Sequence, residues 1–402
     1  MFDVNNFLHS DALGAAIEWN GYPRFNFIGG HNDSENIPVV SLRESIDNVI
    51  LKEGKTLAKY GLESGPQGYI PLRSFISSQL KNSASINCSE KEILVVSGSL
   101  QALDLVNTTF LKRGDTVIIE EENYGGTISR LKRLGVNMVG IPLEKDGMDL
   151  VFLQKVLDRL EGENKKPRYI YTIPTIQNPT GTIMSVEKRK RLIDLSKKYM
   201  IPIFEDDCYA DLIYEKKRPP AIKSFDDEGY VIYCGSFSKS IAPALRVGYL
   251  VADWNVLSRI LPYKTDAGSG SLEQMALAEF CKNNFSSHVN KLRSELKKKS
   301  DAICDALDKY FGSTADYQKP DGGIFIWIEM PEEVDTSRLY EIAIKQGVAI
   351  NPGQEWSINP NGKRKMRLCY GNPTIDEIDE GIKLLAEICQ KEFGIPNQIA
   401  NL

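Results

Sequence analysis

The chain has 402 residues, of which 42% are hydrophobic, and it carries a formal net charge of −5 with a pI of about 5.6. A chain of this length can bury a sizeable core and is expected to form two or three structural units. Because acidic and basic residues are interspersed and the acidic ones are in excess, no basic surface of the kind that binds nucleic acid is predicted.

Cysteine and histidine usage argues against two further classes of site. The seven cysteines are scattered without Cys-x-x-Cys spacing, which argues against a disulfide framework and against a zinc site. The three histidines, His9, His31 and His288, have no mutual spacing that would build a metal centre. We therefore predict no metal site, and a reducing cytoplasm fits the cysteine content best.

The sequence also lacks the patterns of membrane and secreted proteins. The first 19 residues have an aspartate at position 3 and no positively charged lead, so they do not read as a signal peptide. No apolar run approaches the length that spans a membrane. We expect a cytoplasmic protein without membrane contact.

Between about residues 90 and 250, apolar strands alternate with helical patterns. The predicted strands are 92–96, 116–120, 136–141, 168–173, 201–204 and 230–234. After the first of them, the sequence SGS leads into a helix whose apolar residues recur at steps of three to four. This alternation predicts an α/β fold with a mostly parallel sheet and helices on both faces.

The pattern changes after about residue 285. Residues 288–311 form a long amphipathic helical pattern, and two apolar strands are predicted at 322–330 and 366–371. These pieces predict a smaller α+β domain, with the long helix bridging the two units. The predicted division is an N-terminal arm with part of the small domain (1–45), a large domain (46–285) and a C-terminal small domain (286–402).

Polar residues follow two strands of the predicted sheet. Asn178 stands before a proline and a glycine-containing turn, which an ordinary Asn-Pro turn would also explain. Glu205, Asp206 and Asp207 end another strand, and Asp206 should point to the opposite face from its two neighbours. Because buried acids are costly without a positive partner, we expect a bound cation or a protonated ring near one face.

The segment GSFSKSIAPALRVGY (235–249) places Lys239 just beyond a predicted strand. In open α/β sheets this edge is where ligands bind. Ser236, Ser238 and Arg246 offer anion contacts beside the lysine, and a guanidinium suits a phosphate well. The loop SGSLQ (97–101) could hold a phosphate through its backbone N–H groups, or its serines could only cap the following helix.

These features fit one cofactor when they are taken together. A lysine, a phosphate site split over two loops, an asparagine and the D-x-x-Y pair Asp206 and Tyr209 follow one another at strand ends. Pyridoxal phosphate has an aldehyde that forms a Schiff base with a lysine and a ring nitrogen that needs an acidic partner. The sequence therefore predicts a pyridoxal-phosphate site.

Three segments resemble those of fold-type I, class I/II aminotransferases: SFSKSIAPALRVGY, IPTIQNPTG and EDDCYADL. The chain is most similar to the aminoadipate-type and aromatic-type branch, which includes the effector domains of MocR-like regulators, and the resemblance runs from about residue 20 to residue 390. It implies the fold of type I pyridoxal-phosphate-dependent transferases and a homodimer whose active sites are completed by the neighbouring subunit. The implied reaction moves an amino group between an amino acid and a 2-oxo acid.

The resemblance also implies roles for single residues. Lys239 would hold the cofactor covalently and move the proton at the substrate α-carbon. Asp206 would pair with the pyridinium nitrogen, Tyr209 and Asn178 would hydrogen-bond the ring's phenolic oxygen, and Tyr124 would stack on the ring. The phosphate ligands would be Ser99, Gln101, Ser236, Ser238 and Arg246, and the substrate carboxylate would be held by Arg367 with Gly30 and Asn178 close by.

Tyr60 and His31 are two further candidates for the site. Tyr60 matches a phosphate ligand donated across the dimer interface, but it stands three residues farther from Gly68 than its counterpart does in relatives. His31 follows Gly30 and reads either as a loop histidine or as a substrate contact that assists a step beyond transamination.

Two alternatives to transamination stay open. The same scaffold supports cyclases and eliminases, which would return to the starting cofactor form without a 2-oxo acid. The second alternative is not an enzyme but a regulatory module that binds the cofactor. We expect an enzyme rather than a regulator, because the sequence shows no basic DNA-binding segment before the aminotransferase-like part.

Overall fold

The computed structural model describes residues 3–8, 12, 14–16 and 18–396, so His9 and parts of the predicted N-terminal arm lie outside the described residues. Within the described part there are ten α-helices: α1 Val39–Glu53, α2 Ile70–Ala84, α3 Ser99–Phe110, α4 Gly125–Leu134, α5 Leu150–Gly162, α6 Val186–Tyr199, α7 Trp254–Ile260, α8 Ser271–Tyr310, α9 Thr336–Ala343 and α10 Ile375–Phe393.

The same described residues form fifteen strands. They are β1 Phe25–Asn26, β2 Ile93–Val96, β3 Thr116–Glu120, β4 Asn137–Ile141, β5 Leu143–Glu144, β6 Gly147–Met148, β7 Ile170–Thr172, β8 Ile203–Asp206, β9 Val231–Ser236, β10 Gly248–Val251, β11 Asp316–Tyr317, β12 Phe325–Glu329, β13 Val348–Ala349, β14 Asn351–Pro352 and β15 Lys365–Cys369.

The central sheet has seven strands in the order β2-β10-β9-β8-β7-β3-β4. The strands from β9 to β4 are parallel neighbours, whereas β10 runs antiparallel to both β2 and β9. All six strands predicted between residues 90 and 250 are present, and β8 extends two residues further than predicted, so that it includes Asp206. The predicted α/β class with a mostly parallel sheet is confirmed.

Both faces of this sheet are buried. On β3, Val117 and Ile119 pack in the core that contains α3, whereas Ile118 packs with α5 and α6 on the other face. Parallel sheets are covered by helices on both faces in this way, which explains the near-continuous apolar runs of their strands. The polar ends of the strands are left as the place where a ligand can bind.

Strand direction brings those polar ends together. Strands β7, β8 and β9 are parallel and therefore end at one edge of the sheet. Strand β2 runs in the same direction as β9, because both are antiparallel to β10, so it ends at this edge too. Gly248 of β10 pairs with Ser236 on one side and with Val96 on the other. The segments after Val96 and Ser236, distant in sequence, therefore start side by side.

A second, antiparallel sheet lies in the C-terminal part, with strand order β11-β12-β15-β14. It shares a core with α9, α10 and the end of α8. β1 pairs with β13 in parallel, so Phe25 lies beside Val348 and the N-terminal segment joins this unit. The exact domain boundaries stay a prediction.

Helix α8 connects the two units. It begins at Ser271 rather than at His288 and runs for 40 residues, through the predicted boundary at 285. Its first half packs Met275 and Phe285 against the large core, and its second half packs Ile303 against the small one. Among the described residues, no helix combines the length and the apolar content that a membrane crossing requires.

Candidate active site

Lys239 lies in the segment between β9 and β10, at the polar edge of the large sheet. Its Nζ donates a hydrogen bond to the carbonyl oxygen of Gly30 at 2.5 Å and lies 5.8 Å from the centroid of the Tyr209 ring. Burial lowers the pKa of the Lys239 ammonium below its ordinary value. A lysine held this way has a neutral amine over a larger part of the pH range than an exposed lysine has.

Asp206 is the last residue of β8 and lies at the same edge of the sheet as Lys239. Its Oδ2 accepts a hydrogen bond from the hydroxyl of Tyr171 at 2.6 Å, and its Oδ1 is buried without a hydrogen-bond partner among the described residues. Burial raises the pKa of the Asp206 carboxyl, although the hydrogen bond from Tyr171 acts in the opposite direction. A buried, unpaired carboxylate oxygen is costly, and a protonated ring nitrogen is a partner that would remove this cost.

The neighbouring acids face the other way, as strand alternation predicts. Glu205 accepts hydrogen bonds from the backbone N–H groups of Ile222 and Lys223, at 2.7 and 2.8 Å. Asp207 accepts one from Arg218 Nη2 at 2.6 Å. Because Arg218 supplies the positive charge on that side, Asp206 is the acid of the three that faces the site.

Asn178, Tyr209 and Arg367 form one hydrogen-bonded group. Asn178 Nδ2 donates to the hydroxyl of Tyr209 at 3.3 Å, and Arg367 Nη1 donates to Asn178 Oδ1 at 3.0 Å. The Nε of Arg367 is buried without a hydrogen-bond partner among the described residues. The guanidinium therefore keeps donor capacity for an anionic group such as a carboxylate.

Arg246 lies against the start of α3, where the sequence predicted a phosphate site. Arg246 Nη2 donates to the carbonyl oxygen of Ser97 at 3.2 Å, and a Cβ added to Gly98 would overlap the same nitrogen. Gly98 has φ +83° and directly precedes Ser99, the first residue of α3. The absence of a side chain at Gly98 lets the guanidinium lie against the N-terminus of the helix, where backbone N–H groups favour an anion.

Ser236, the last residue of β9, and Ser238 just after it lie beside this site because of the sheet register. Ser236 pairs across the sheet with Gly248, which in turn pairs with Val96. Ser236 Oγ accepts a hydrogen bond from the backbone N–H of Ser238 at 3.1 Å. The anion-binding residues predicted on two loops are thus brought to one place, and they fit the phosphate of the predicted cofactor. Their direct contacts with it stay a prediction.

Gln101 has a different local role. Its Oε1 accepts a hydrogen bond from the backbone N–H of Ser97 at 2.7 Å, and its Nε2 donates to Asp266 Oδ2 at 2.6 Å. Both polar atoms of the side chain are therefore engaged, and they join the loop before α3 to the 264–271 loop. The contact between this amide and a phosphate, which the sequence predicted, stays a prediction.

Tyr124 precedes α4, and its ring lies 5.7 Å from that of Trp356. Trp356 is 6% exposed, and the Arg367 guanidinium lies 3.8 Å from its ring centroid. Sequence reasoning missed Trp356, since it lies in the short helix 353–356, without a motif, and reaches the site only through packing. An aromatic side chain stacked on a carboxylate-binding arginine fixes the plane of the guanidinium.

Glu120 connects the loops around the site by hydrogen bonds, and the sequence analysis did not identify it. It is buried at the end of β3, where it accepts hydrogen bonds from the side chains of Thr172, Gln177 and Asn123. Burial raises the pKa of Glu120 to about 7. These bonds join the loops that carry Tyr124 and Asn178. The signal in the sequence was a single acid ending an apolar strand.

The remaining two candidates are Tyr60 and His31. The Tyr60 side chain is 90% exposed, as a residue reaching toward a second subunit would be, and its role stays a prediction. His31 Nδ1 hydrogen-bonds the carbonyl oxygen of Asn32 at 3.2 Å, and its ring centroid lies 6.1 Å from that of Tyr22. The described contacts of His31 are thus with its own loop and with the N-terminal segment.

Comparisons with known proteins agree with this geometry. Residues 30–385 match the family model described as aminotransferase class I and II. Aromatic-amino-acid aminotransferase 1 of Thermococcus litoralis is 34% identical over 91% of this chain and 88% of its own length. The HTH-type transcriptional regulator YisV of Bacillus subtilis is also 34% identical, over 81% of this chain and 66% of its own length.

A solved structure shares the fold over most of the chain. LysN, the alpha-aminoadipate aminotransferase of Thermus thermophilus, was crystallised in complex with N-(5'-phosphopyridoxyl)-L-leucine. It superposes with a TM-score of 0.84, is 31% identical, and the match covers 91% of this chain and 92% of that chain.

The phosphate site is tested by Gly98→Ala. The added Cβ would displace the Arg246 guanidinium, and we expect the affinity for pyridoxal phosphate to fall at least about tenfold, the equivalent of about 1.4 kcal/mol. The matched control is Gly114→Ala, since Gly114 has φ +85° and its Cβ would meet nothing within 4 Å. Equilibrium titrations that follow the visible absorbance of the cofactor measure both variants. Equal affinities would contradict the proposed position of the phosphate.

Proposed function

The chain belongs to the class I and II aminotransferase family, and on that premise we propose which of its residues perform the reaction. It is a pyridoxal-phosphate-dependent enzyme that transfers amino groups. The observation that best supports the proposed roles is that Lys239, the unpaired Asp206 oxygen and the Gly98–Arg246 anion site share one edge of the sheet.

The cofactor, when bound, supplies an aldehyde that reacts with amines and a ring that accepts electrons from the substrate α-carbon. Lys239 would hold it covalently through Nζ. Burial lowers the pKa of Lys239, which favours the neutral amine, and this amine would accept and return the proton at the α-carbon.

Asp206 and the Tyr209–Asn178 pair would orient the ring. The unpaired Oδ1 of Asp206 would accept a hydrogen bond from the ring nitrogen and keep that nitrogen protonated, since an adjacent negative charge favours the charged form. Tyr209 and Asn178, which hydrogen-bond each other, would donate to the ring's phenolic oxygen. Tyr124 would cover one face of the ring.

Arg367 would hold the substrate carboxylate. It is 4% exposed, lies on β15, and is positioned by Asn178 and by the Trp356 ring. A carboxylate fixed by a guanidinium fork sets which α-carbon bond stands perpendicular to the ring, and this geometry selects proton removal over other bond cleavages.

A homodimer is proposed from the exposed apolar side chains of α1 and its surroundings. Val39, Val40, Leu51, Leu57, Tyr60 and Ile70 are all exposed. Large apolar side chains exposed in one stretch of the chain support an interaction surface, and C2 dimers are the commonest assemblies. Tyr60 would then reach the phosphate of the neighbouring subunit. A cytoplasmic location is proposed because all seven cysteines are unpaired.

The covalent role of Lys239 is tested by borohydride reduction of the full chain with pyridoxal phosphate, followed by peptide mass mapping. We expect the phosphopyridoxyl group on Lys239, and Lys239→Arg should reduce turnover by at least about a thousandfold, since it removes both the covalent link and the proton acceptor. Lys223→Arg is the control, because Lys223 is also buried and is paired with Asp226.

The same preparation distinguishes transamination from the alternatives. Adding an amino acid without a 2-oxo acid should convert the cofactor stoichiometrically to its pyridoxamine form, and adding a 2-oxo acid should reverse the conversion. A label on another lysine, or a cofactor spectrum that recovers without any 2-oxo acid, would contradict the proposed function.

Trp356 is tested by two substitutions. Trp356→Leu removes a desolvated cation–π contact of about 1 to 2 kcal/mol and should raise the KM for amino acids about 5- to 30-fold, while Trp356→Phe should retain most of the affinity. The preference for an amino acid over the matching amine without a carboxylate should fall by the same factor. Trp254→Leu, on exposed α7, is the control. An unchanged preference would show that Trp356 is only structural.

A further inference from the structure

Two cysteine thiols lie beside the Asp206 carboxyl. Cys234 is the cross-strand partner of Asp206 in the pairing of β8 with β9, and Cys208 follows Asp206 by two residues. One ligand atom from each residue, a carboxylate oxygen and the two Sγ atoms, lies within 4.8 Å of the others. Asp206 and Cys208 are partly exposed, whereas Cys234 is buried.

This set of atoms suits a thiophilic divalent ion. Zn²⁺ and related ions prefer thiolate and carboxylate ligands in tetrahedral geometry, with Zn–S distances of about 2.3 Å. Two sulfur ligands in such a tetrahedron are about 3.8 Å apart. The separations here need only a small closure to reach that value. Three protein ligands leave a fourth position for water.

We propose that the chain without its cofactor binds one thiophilic divalent cation, such as Zn²⁺, through Asp206, Cys208 and Cys234, and that this ion and pyridoxal phosphate exclude each other. The exclusion rests on the proposed function, in which Asp206 Oδ1 pairs with the ring nitrogen. An ion bound to the same carboxylate would both occupy its oxygen and place positive charge where the protonated ring has to lie.

The binding step balances without a redox partner. The two thiols lose their protons to solvent as two metal–sulfur bonds form, and the Asp206 carboxylate contributes the third bond as an anion. Two protons are released for each ion bound, so binding strengthens as the pH rises. The consequence is that zinc would keep newly made or cofactor-free enzyme from taking up pyridoxal phosphate until the ion is removed.

The test is a Cd²⁺ titration of the full chain freed of cofactor, following the ultraviolet thiolate-to-cadmium charge-transfer absorption. We expect one ion per chain and a signal that saturating pyridoxal phosphate suppresses. In reverse, Cd²⁺ at ten times its dissociation constant should raise the apparent Kd for pyridoxal phosphate about elevenfold.

Two variants identify the ligands. Cys208→Ser and Cys234→Ala should each abolish the signal, whereas Cys88→Ser, at another partly exposed cysteine, should retain it. Uptake of pyridoxal phosphate, seen in the visible spectrum, shows that each variant is folded. A signal that persists in both ligand variants, or that the cofactor leaves unchanged, overturns the proposal. If the wild-type chain takes up no pyridoxal phosphate, the proposed function fails, and the variant titrations still report the ion site.

Discussion

The proposed position of the cofactor depends on the Asp206 Oδ1 atom, which is buried at the edge of the sheet without a hydrogen-bond partner among the described residues. A fold retains such an atom at a cost in stability, because a desolvated carboxylate oxygen loses its hydrogen bonds to water. The neighbouring acids differ in their charge partners, since Glu205 accepts two backbone N–H groups and Asp207 Oδ2 is paired with the charged Arg218, although Asp207 Oδ1 is also buried without a hydrogen-bond partner among the described residues. The cost at Asp206 is offset when a protonated ring nitrogen binds there.

The rest of the site follows from strand direction. Parallel strands end at the same edge of a sheet. The residues that follow β7, β8 and β9 therefore lie close to one another and to the start of α3. The second unit adds Arg367 from β15 and Trp356 from the short helix 353–356. The N-terminal segment adds Gly30. Since α8 packs in both cores, the relative position of these contributions is fixed by one continuous element. The same convergence places two thiols beside Asp206, which connects cofactor uptake with metal binding.

Much of this could be predicted from the sequence, and the remainder has physical reasons for being hidden. Apolar runs predicted the strands, and polar residues at their ends identified Lys239, Asp206 and Asn178, because both signals are local. Trp356 and the Cys208–Cys234 pair were not found, because they meet the site through tertiary packing and cross-strand register. The start of α8 at Ser271 was missed because a helix buried on several sides lacks a clear polar face. For Gln101, the resemblance implied a contact with the phosphate. Its hydrogen bond to Asp266 could not be predicted, because Asp266 lies on a loop more than 160 residues away in the sequence.

The most direct test of the central claim is the protonation state of the cofactor's ring nitrogen. It can be measured by ¹⁵N NMR on the full chain loaded with pyridoxal phosphate labelled at that nitrogen, in the wild type and in Asp206→Asn. The pairing with Asp206 Oδ1 predicts a protonated nitrogen in the wild type near neutral pH and an unprotonated one in the variant, which is neutral at the same place. A nitrogen with the same protonation state in both proteins would contradict this pairing.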